Sequence, residues 1–147
     1  MLQDTSTIEY KHKKFIERVV DFDTVWGLES DEGFATSNSN DFENAEVIPF
    51  WSDKAYATAV IKENWRHYNP TSMPLSDFIE NWLVGMYNDG LLVGTNWDSN
   101  MFGKEIEPLD LALQIADEVI AKGKRLSLNK YKDIIDYQTQ VKKLWDD

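Results

Sequence analysis

The chain has no cysteine, only two histidines, four prolines and seven glycines among 147 residues. Without cysteine there is no thiol catalysis, no cysteine-type zinc site and no redox switch. A reducing compartment suits such a chain. No apolar run approaches the roughly 18 residues needed to cross a bilayer. The start, Met1-Leu2-Gln3-Asp4, has no charged region ahead of an apolar core, so neither a membrane span nor a signal peptide is expected. Basic side chains are scarce as well: 15 Lys+Arg stand against 26 Asp+Glu, a formal net charge of -11. Phosphate binding needs clustered cations, so nucleic acid and anionic membranes are not expected partners. No G-x-S-x-G, P-loop, G-x-G-x-x-G or H-E-x-x-H pattern occurs. These absences point to a cytoplasmic, non-enzymatic protein with no metal and no cofactor.

What is present argues for a folded domain. Hydrophobic residues make up 42% of the chain and aromatic residues 13%, more than a disordered acidic tail carries. One domain of this length buries roughly two-thirds of its unfolded surface and needs no disulfide.

Periodicity lays out the elements. Ser6-x-x-Glu9 is a capping-box pattern, and Ile8, Phe15, Ile16, Val19 and Val20 follow at helical spacing, predicting a helix over about 7–21. Thr24 to Leu28, Phe34 to Thr36 and Glu46 to Trp51 read as strands, with Ser30-Asp31-Glu32-Gly33 as a turn and 37–44 as polar loop. Pro49 lacks an amide donor, which favours an edge strand or a bulge. Ser52 is placed to cap a second helix reaching about Trp65, with Ala55, Tyr56, Ala59 and Val60 on its buried face. Ser76 caps a third, burying Phe78, Ile79, Trp82, Leu83 and Met86, and Gly90 ends it. Leu91 to Trp97 reads as a strand with Leu91, Val93, Thr95 and Trp97 on one face. After a turn and a short strand at Glu105-Ile106, Pro108 opens a helix that Gly123 closes. A last helix opens at Ser127, with Tyr131, Ile134, Ile135, Val141, Leu144 and Trp145 along one stripe. Short hairpins with helices gathered on a face predict an α+β fold: a mostly antiparallel sheet of about five to six short strands. Residues 1–123 are expected to form one domain, with 124–147 a helical extension docked on it.

The charge is segregated. Residues 21–53 hold nine acidic side chains and no basic one, whereas both 1–20 and 122–147 are net basic. A local negative field of this kind speeds association with a basic partner. The candidate contact residues are Asp21, Asp23, Glu29, Asp31, Glu32, Asp41, Glu43 and Glu46, with Phe42 or Trp97 as an apolar anchor and Asp98 beside the latter. Trp97 ends a strand ahead of Asp98-Ser99-Asn100, so its edge is expected to be exposed; the competing reading makes it a lid over the core.

Other chemistry is thinly supported. His12 lies among lysines and His67 in Arg66-His67-Tyr68, and both are expected at the surface. Asp98-x-Asn100 followed by Gly103 imitates a calcium loop, but Phe102 occupies a ligand position and Leu109 stands where a Glu is needed. Asp21/Asp23 and Asp31/Glu32 could hold a cation weakly, or a carboxylate pair could do acid/base work, though no accompanying motif supports either.

Trp26-Gly27-Leu28, the turn glycine Gly33, Ile48-Pro49-Phe50-Trp51, Met73-Pro74-Leu75-Ser76-Asp77-Phe78, Trp82, Gly90-Leu91-Leu92-Val93-Gly94 and Trp97 follow in a familiar order. Over about residues 8 to 120 the chain resembles the small bacterial family catalogued as domain of unknown function 2750. From Pro49 to Leu111 it is also distantly similar to SseB-type domains. The resemblance implies a compact bacterial α+β module with a binding role. Neither family carries an established catalytic motif, so no active site transfers, and the basic tail after Gly123 looks like an addition to the family's core. The expected function is therefore an acidic protein-interaction module, most concretely an immunity protein that neutralises a basic, nuclease-type toxin domain. The alternatives are a carboxylate-based or metal-assisted enzyme and an intracellular scaffold. The expected state is a monomer or a weak homodimer.

Overall fold

The strand Glu46–Phe50 (β4) is apolar on both faces, and this organises the molecule. A strand sends successive side chains to opposite sides, so Val47 and Ile48 enter two different cores. The structure is a computed structural model describing residues 5–62 and 65–146. In chain order it runs α1 (Thr5–Phe22), β1 (Thr24–Ser30), β2 (Gly33–Phe34), β3 (Ser37–Asn38), β4, α2 (Lys54–Ala59) and β5 (Asn69–Pro74). Next comes one continuous helix built of α3 (Leu75–Asp77), a π-helical turn (Phe78–Trp82) and α4 (Leu83–Asn88). Then follow β6 (Leu92–Thr95), β7 (Lys104–Ile106), α5 (Pro108–Ala121) and α6 (Ile134–Asp146). No helix among the described residues is long and apolar enough to cross a membrane.

The fold is α+β, as expected, with seven short strands among the described residues in two sheets, ordered β2-β1-β5 and β3-β4-β6-β7. Every pairing is antiparallel except β4 with β6, where Val47 to Phe50 lie beside Leu92 to Thr95. A parallel neighbour needs a long crossover, and residues 51–91 supply it. The sheets meet where Trp26 and Trp51 exchange both backbone hydrogen bonds, at 2.8 and 2.7 Å. Pro49 is neither at an edge nor in a bulge. On that side β4 is paired with β3 only at Glu46 and Val47 and meets β1 only at Trp51. Alternation turns the donorless side of Pro49 into the gap between those partners, where no ladder bond is lost.

The larger core lies on one side of the sheets. Val25, Ile48, Phe50 and Val93 meet Phe15, Val19, Phe78, Ile79, Leu83, Leu109, Ile115 and Val119 there. Its centre is a run of edge-on rings, with Phe50 and Phe78 4.9 Å apart and Phe34 and Trp82 4.5 Å apart. The smaller core, on the other side, holds Leu28, Val47, Trp51, Ala57, Val60, Leu92 and Trp97. Each fully buried side chain of this size contributes about 1.5–3 kcal/mol.

Several local expectations shift. α1 starts at Thr5, so Ser6 sits inside its first turn rather than capping it; residues 1–4 lie outside the described residues. α2 ends at Ala59, not near Trp65, and buries Ala57 and Val60 while Ala55, Tyr56 and Ala59 face out. Its cap position is Asp53, whose carboxylate is taken by Arg18, and Ser52 donates to that carboxylate instead of capping. Pro74 precedes the third helix, so Ser76 is internal. Gly90 closes that helix with φ of 72°. Trp82 is half-buried rather than enclosed.

The last helix begins at Ile134. Ile134, Tyr137 and Val141 share its buried face, leaving Ile135 and Trp145 exposed. The Tyr137 hydroxyl donates to the Ile79 carbonyl at 2.7 Å, and burial pushes its pKa well up. The buried Glu80 carboxylate accepts the Asn129 and Lys130 amides at 2.8 and 2.7 Å. Residues 124–146 are thereby tied to the body.

His12 is buried, not superficial. Its ring lies 2.8 Å from both Thr95 Oγ1 and Gln114 Oε1, and burial lowers its pKa. α1 turns this edge inward against β6 and α5, while Lys13 stays outside.

Candidate functional site

The acidic stretch divides into a paired part and an open part. Asp21 and Asp23 stand where α1 gives way to β1. Lys122 pairs with Asp21, and Lys124 pairs with Asp23 at 3.0 Å. The Lys122 ammonium lowers the Asp21 pKa through its hydrogen bond. Both lysines also donate to carbonyls at the end of α1: Lys122 to Glu17 and Lys124 to Val20 and Asp21. Cations belong at a helix C-terminus, so these pairs close α1 onto the end of α5. Arg18 grips Asp53 through Nε and Nη2, at 2.7 and 2.5 Å, which lowers the carboxyl pKa.

The other six carboxylates, Glu29, Asp31, Glu32, Asp41, Glu43 and Glu46, are exposed and make no ion pair among the described residues. Glu29, Asp31 and Glu32 surround the β1–β2 turn. They line an open cleft of about 800 Å³ with His67 and Tyr68 just ahead of β5 and Asn69 and Thr71 within it. Asp41, Phe42 and Glu43 lie in the connection from β3 to β4. Ser39 Oγ accepts the Asp41 and Phe42 amides and donates to Glu105, and the Asn40 amide donates to the same carboxylate at 2.7 Å. This pinned loop leaves Phe42 60% exposed.

Trp97 does not offer an exposed edge. It is 2% exposed and lies in the smaller core, on the face opposite Val93 and Thr95. Asn96, at φ of 48°, breaks the alternation and turns Trp97 over. Its indole N–H donates to the Lys104 carbonyl at 2.9 Å. Gly94 and Gly103 make room for the ring: a Cβ on either would come within 2.5 Å of it. Asp98 spends one carboxylate oxygen on the Asn100 and Phe102 amides of its own turn. Trp97 and Asp98 share no lining with the acidic cleft.

They line a second cleft, of about 420 Å³, at the carboxyl ends of the parallel strands β4 and β6. Outside the ends of parallel strands is where ligands commonly bind in α/β sheets. Asn96 splices the two ends. Its Oδ1 accepts the Ser52 amide at 2.9 Å, while Nδ2 donates to Ser52 Oγ at 3.2 Å and to the Lys11 carbonyl at 3.5 Å. Ala59, Val60 and Trp97 add an apolar floor, and Tyr10, Lys11, Lys14 and Tyr56 stand round it. Lys11 Nζ lies 4.0 Å from Asp98 and donates to the Phe102 carbonyl; burial lowers its pKa. The sequence held a partial signal for this cleft. Lys11, Lys14 and Arg18 are spaced along one helix face, and Ser52 and Asn96 each follow an apolar strand.

Among the described residues no group of three or more His, Asp or Glu side chains is arranged to hold a metal ion. No curated protein and no solved structure matches the chain. A family model described as protein of unknown function (DUF2750) matches residues 12–115. That span runs from within α1 into α5 and includes the acidic hairpin, both parallel strands and the cleft's lining except Tyr10 and Lys11. On this match the chain belongs to the DUF2750 family.

Proposed function

We propose that this protein is a non-catalytic binding module of the cytoplasm whose acidic hairpin face holds a basic protein, as an immunity protein holds a cationic toxin domain. One observation carries the reading. Among the described residues, lysine and arginine reach the acidic stretch at Asp21, Asp23 and Asp53, leaving the carboxylates around the β1–β2 turn and the β3–β4 loop unmatched. An exposed field of one sign accelerates encounter with a partner of the opposite sign. A nuclease domain is such a partner, because it must be cationic to hold nucleic acid. Phe42, held outward by a pinned loop, supplies an apolar contact of the kind that anchors interfaces.

The test is capture at low salt, identification of the bound protein, and stopped-flow association with that protein purified. The expected result is one basic partner at unit stoichiometry, whose association slows steeply with added salt. A salt-independent association rate would overturn the reading.

A further inference from the structure

The cleft at the ends of β4 and β6 has features that the acidic face does not explain. The polar groups at its floor are engaged: Asn96 is bound to Ser52 and Lys11, and Trp97 to Lys104. Its rim is the reverse. Tyr10 is 64% and Tyr56 42% exposed, two of the seven large apolar side chains exposed among the described residues. Neither hydroxyl has a hydrogen-bond partner among the described residues. A fixed apolar floor with exposed aromatic walls is the construction of a small-molecule site, and the volume lies in the usual range for one.

The charge narrows the ligand. Lys11 and Asp98 face each other at 4.0 Å, so their charges compensate. Asp53 is likewise matched by Arg18. Lys14 makes no ion pair among the described residues; its ammonium sits 5.8 Å above the Tyr10 ring. The cleft therefore carries one excess positive charge at its aromatic rim, in a chain whose net charge is -11.

We propose that this cleft binds a small planar aromatic molecule bearing one anionic group, with its ring against Tyr10, Tyr56 and the Val60–Trp97 floor and its anion at Lys14. The acidic hairpin takes no part, so this proposal stands or falls apart from the partner reading.

The test is calorimetric titration of the full chain with 2-naphthoate, and with 2-naphthamide as its neutral counterpart. The expected result is saturable binding of one 2-naphthoate per chain, with the amide at least about tenfold weaker. Lys14→Met and Tyr56→Ala, both at the rim and outside the cores, should each weaken binding about fivefold or more, while Lys14→Arg retains it. The triple variant Glu29→Gln, Asp31→Asn, Glu32→Gln should bind as the parent does. No saturation by about 5 mM would overturn the proposal, as would equal binding of acid and amide or indifference to both rim substitutions.

Discussion

Asn96 reaches from the end of β6 to the end of β4 and accepts the Ser52 amide at 2.9 Å, with both residues buried. It does so from a left-handed backbone, at φ of 48°. Asn tolerates that region better than other residues with a Cβ. Asn96→Ala should cost about 2–3 kcal/mol in denaturant unfolding, because it strands a buried amide and forces Ala into the left-handed region. Asn96→Gly should lose the same bonds but recover about 1 kcal/mol of the backbone cost. Equal stability of the two variants would mean that the backbone carries no strain.

The His12 environment sets a pH dependence. Gln114 directs its amide nitrogen at Asp110, at 3.1 Å, so its oxygen faces His12 and takes the Nε2 proton. Thr95 then donates to Nδ1, and the ring is held neutral. Burial depresses the folded-state pKa below the ordinary 6.5. The unfolded chain therefore binds the proton first, and stability present above about pH 6.5 is lost as pH falls toward the folded-state value. Unfolding free energies measured between about pH 7.5 and 5.5 should decline in the parent. They should be flatter in His12→Gln over the same range.

Glu80 holds the chain's last helix in place through the Asn129 and Lys130 amides. Charge-assisted bonds of this kind contribute more than neutral ones. Glu80→Ala should destabilise the protein by about 2–3 kcal/mol and speed limited proteolysis within 124–133. A variant as resistant as the parent would show that Tyr137 and Val141 hold the helix unaided.

The acidic hairpin behaves differently if it serves association rather than folding. Glu29→Gln, Asp31→Asn and Glu32→Gln together should change stability by no more than about 0.5 kcal/mol, since each side chain is exposed and makes no ion pair among the described residues. The same variant should slow association with the captured basic partner and flatten its salt dependence. A large loss of stability, with association unchanged, would make these residues structural.

Much of the order of elements was legible because short-range rules govern it. But β3 falls in the stretch read as polar loop, and no strand was read over Asn69–Pro74, where pairing with β1 makes β5. The helix from Pro108 to its stop at Gly123 and the turn at Gly90 each follow from a few neighbouring residues. Exposure of the hairpin carboxylates followed as directly. Boundaries were less legible: packing of Ala57 and Val60 against Trp51 set the buried face of α2, and its local pattern suggested another.

The sequence by itself determined an α+β chain with an acid-rich middle, since composition and periodicity are local properties. Only the tertiary structure decided which acids remain available. Lys122 and Lys124, about a hundred positions away, neutralise Asp21 and Asp23. The same long-range contacts buried His12 and Glu80, turned Trp97 inward and joined Asn96 to Ser52. Partners so far apart in the chain are chosen by packing and by the need to satisfy buried polar groups, and no pattern of neighbouring residues records that choice.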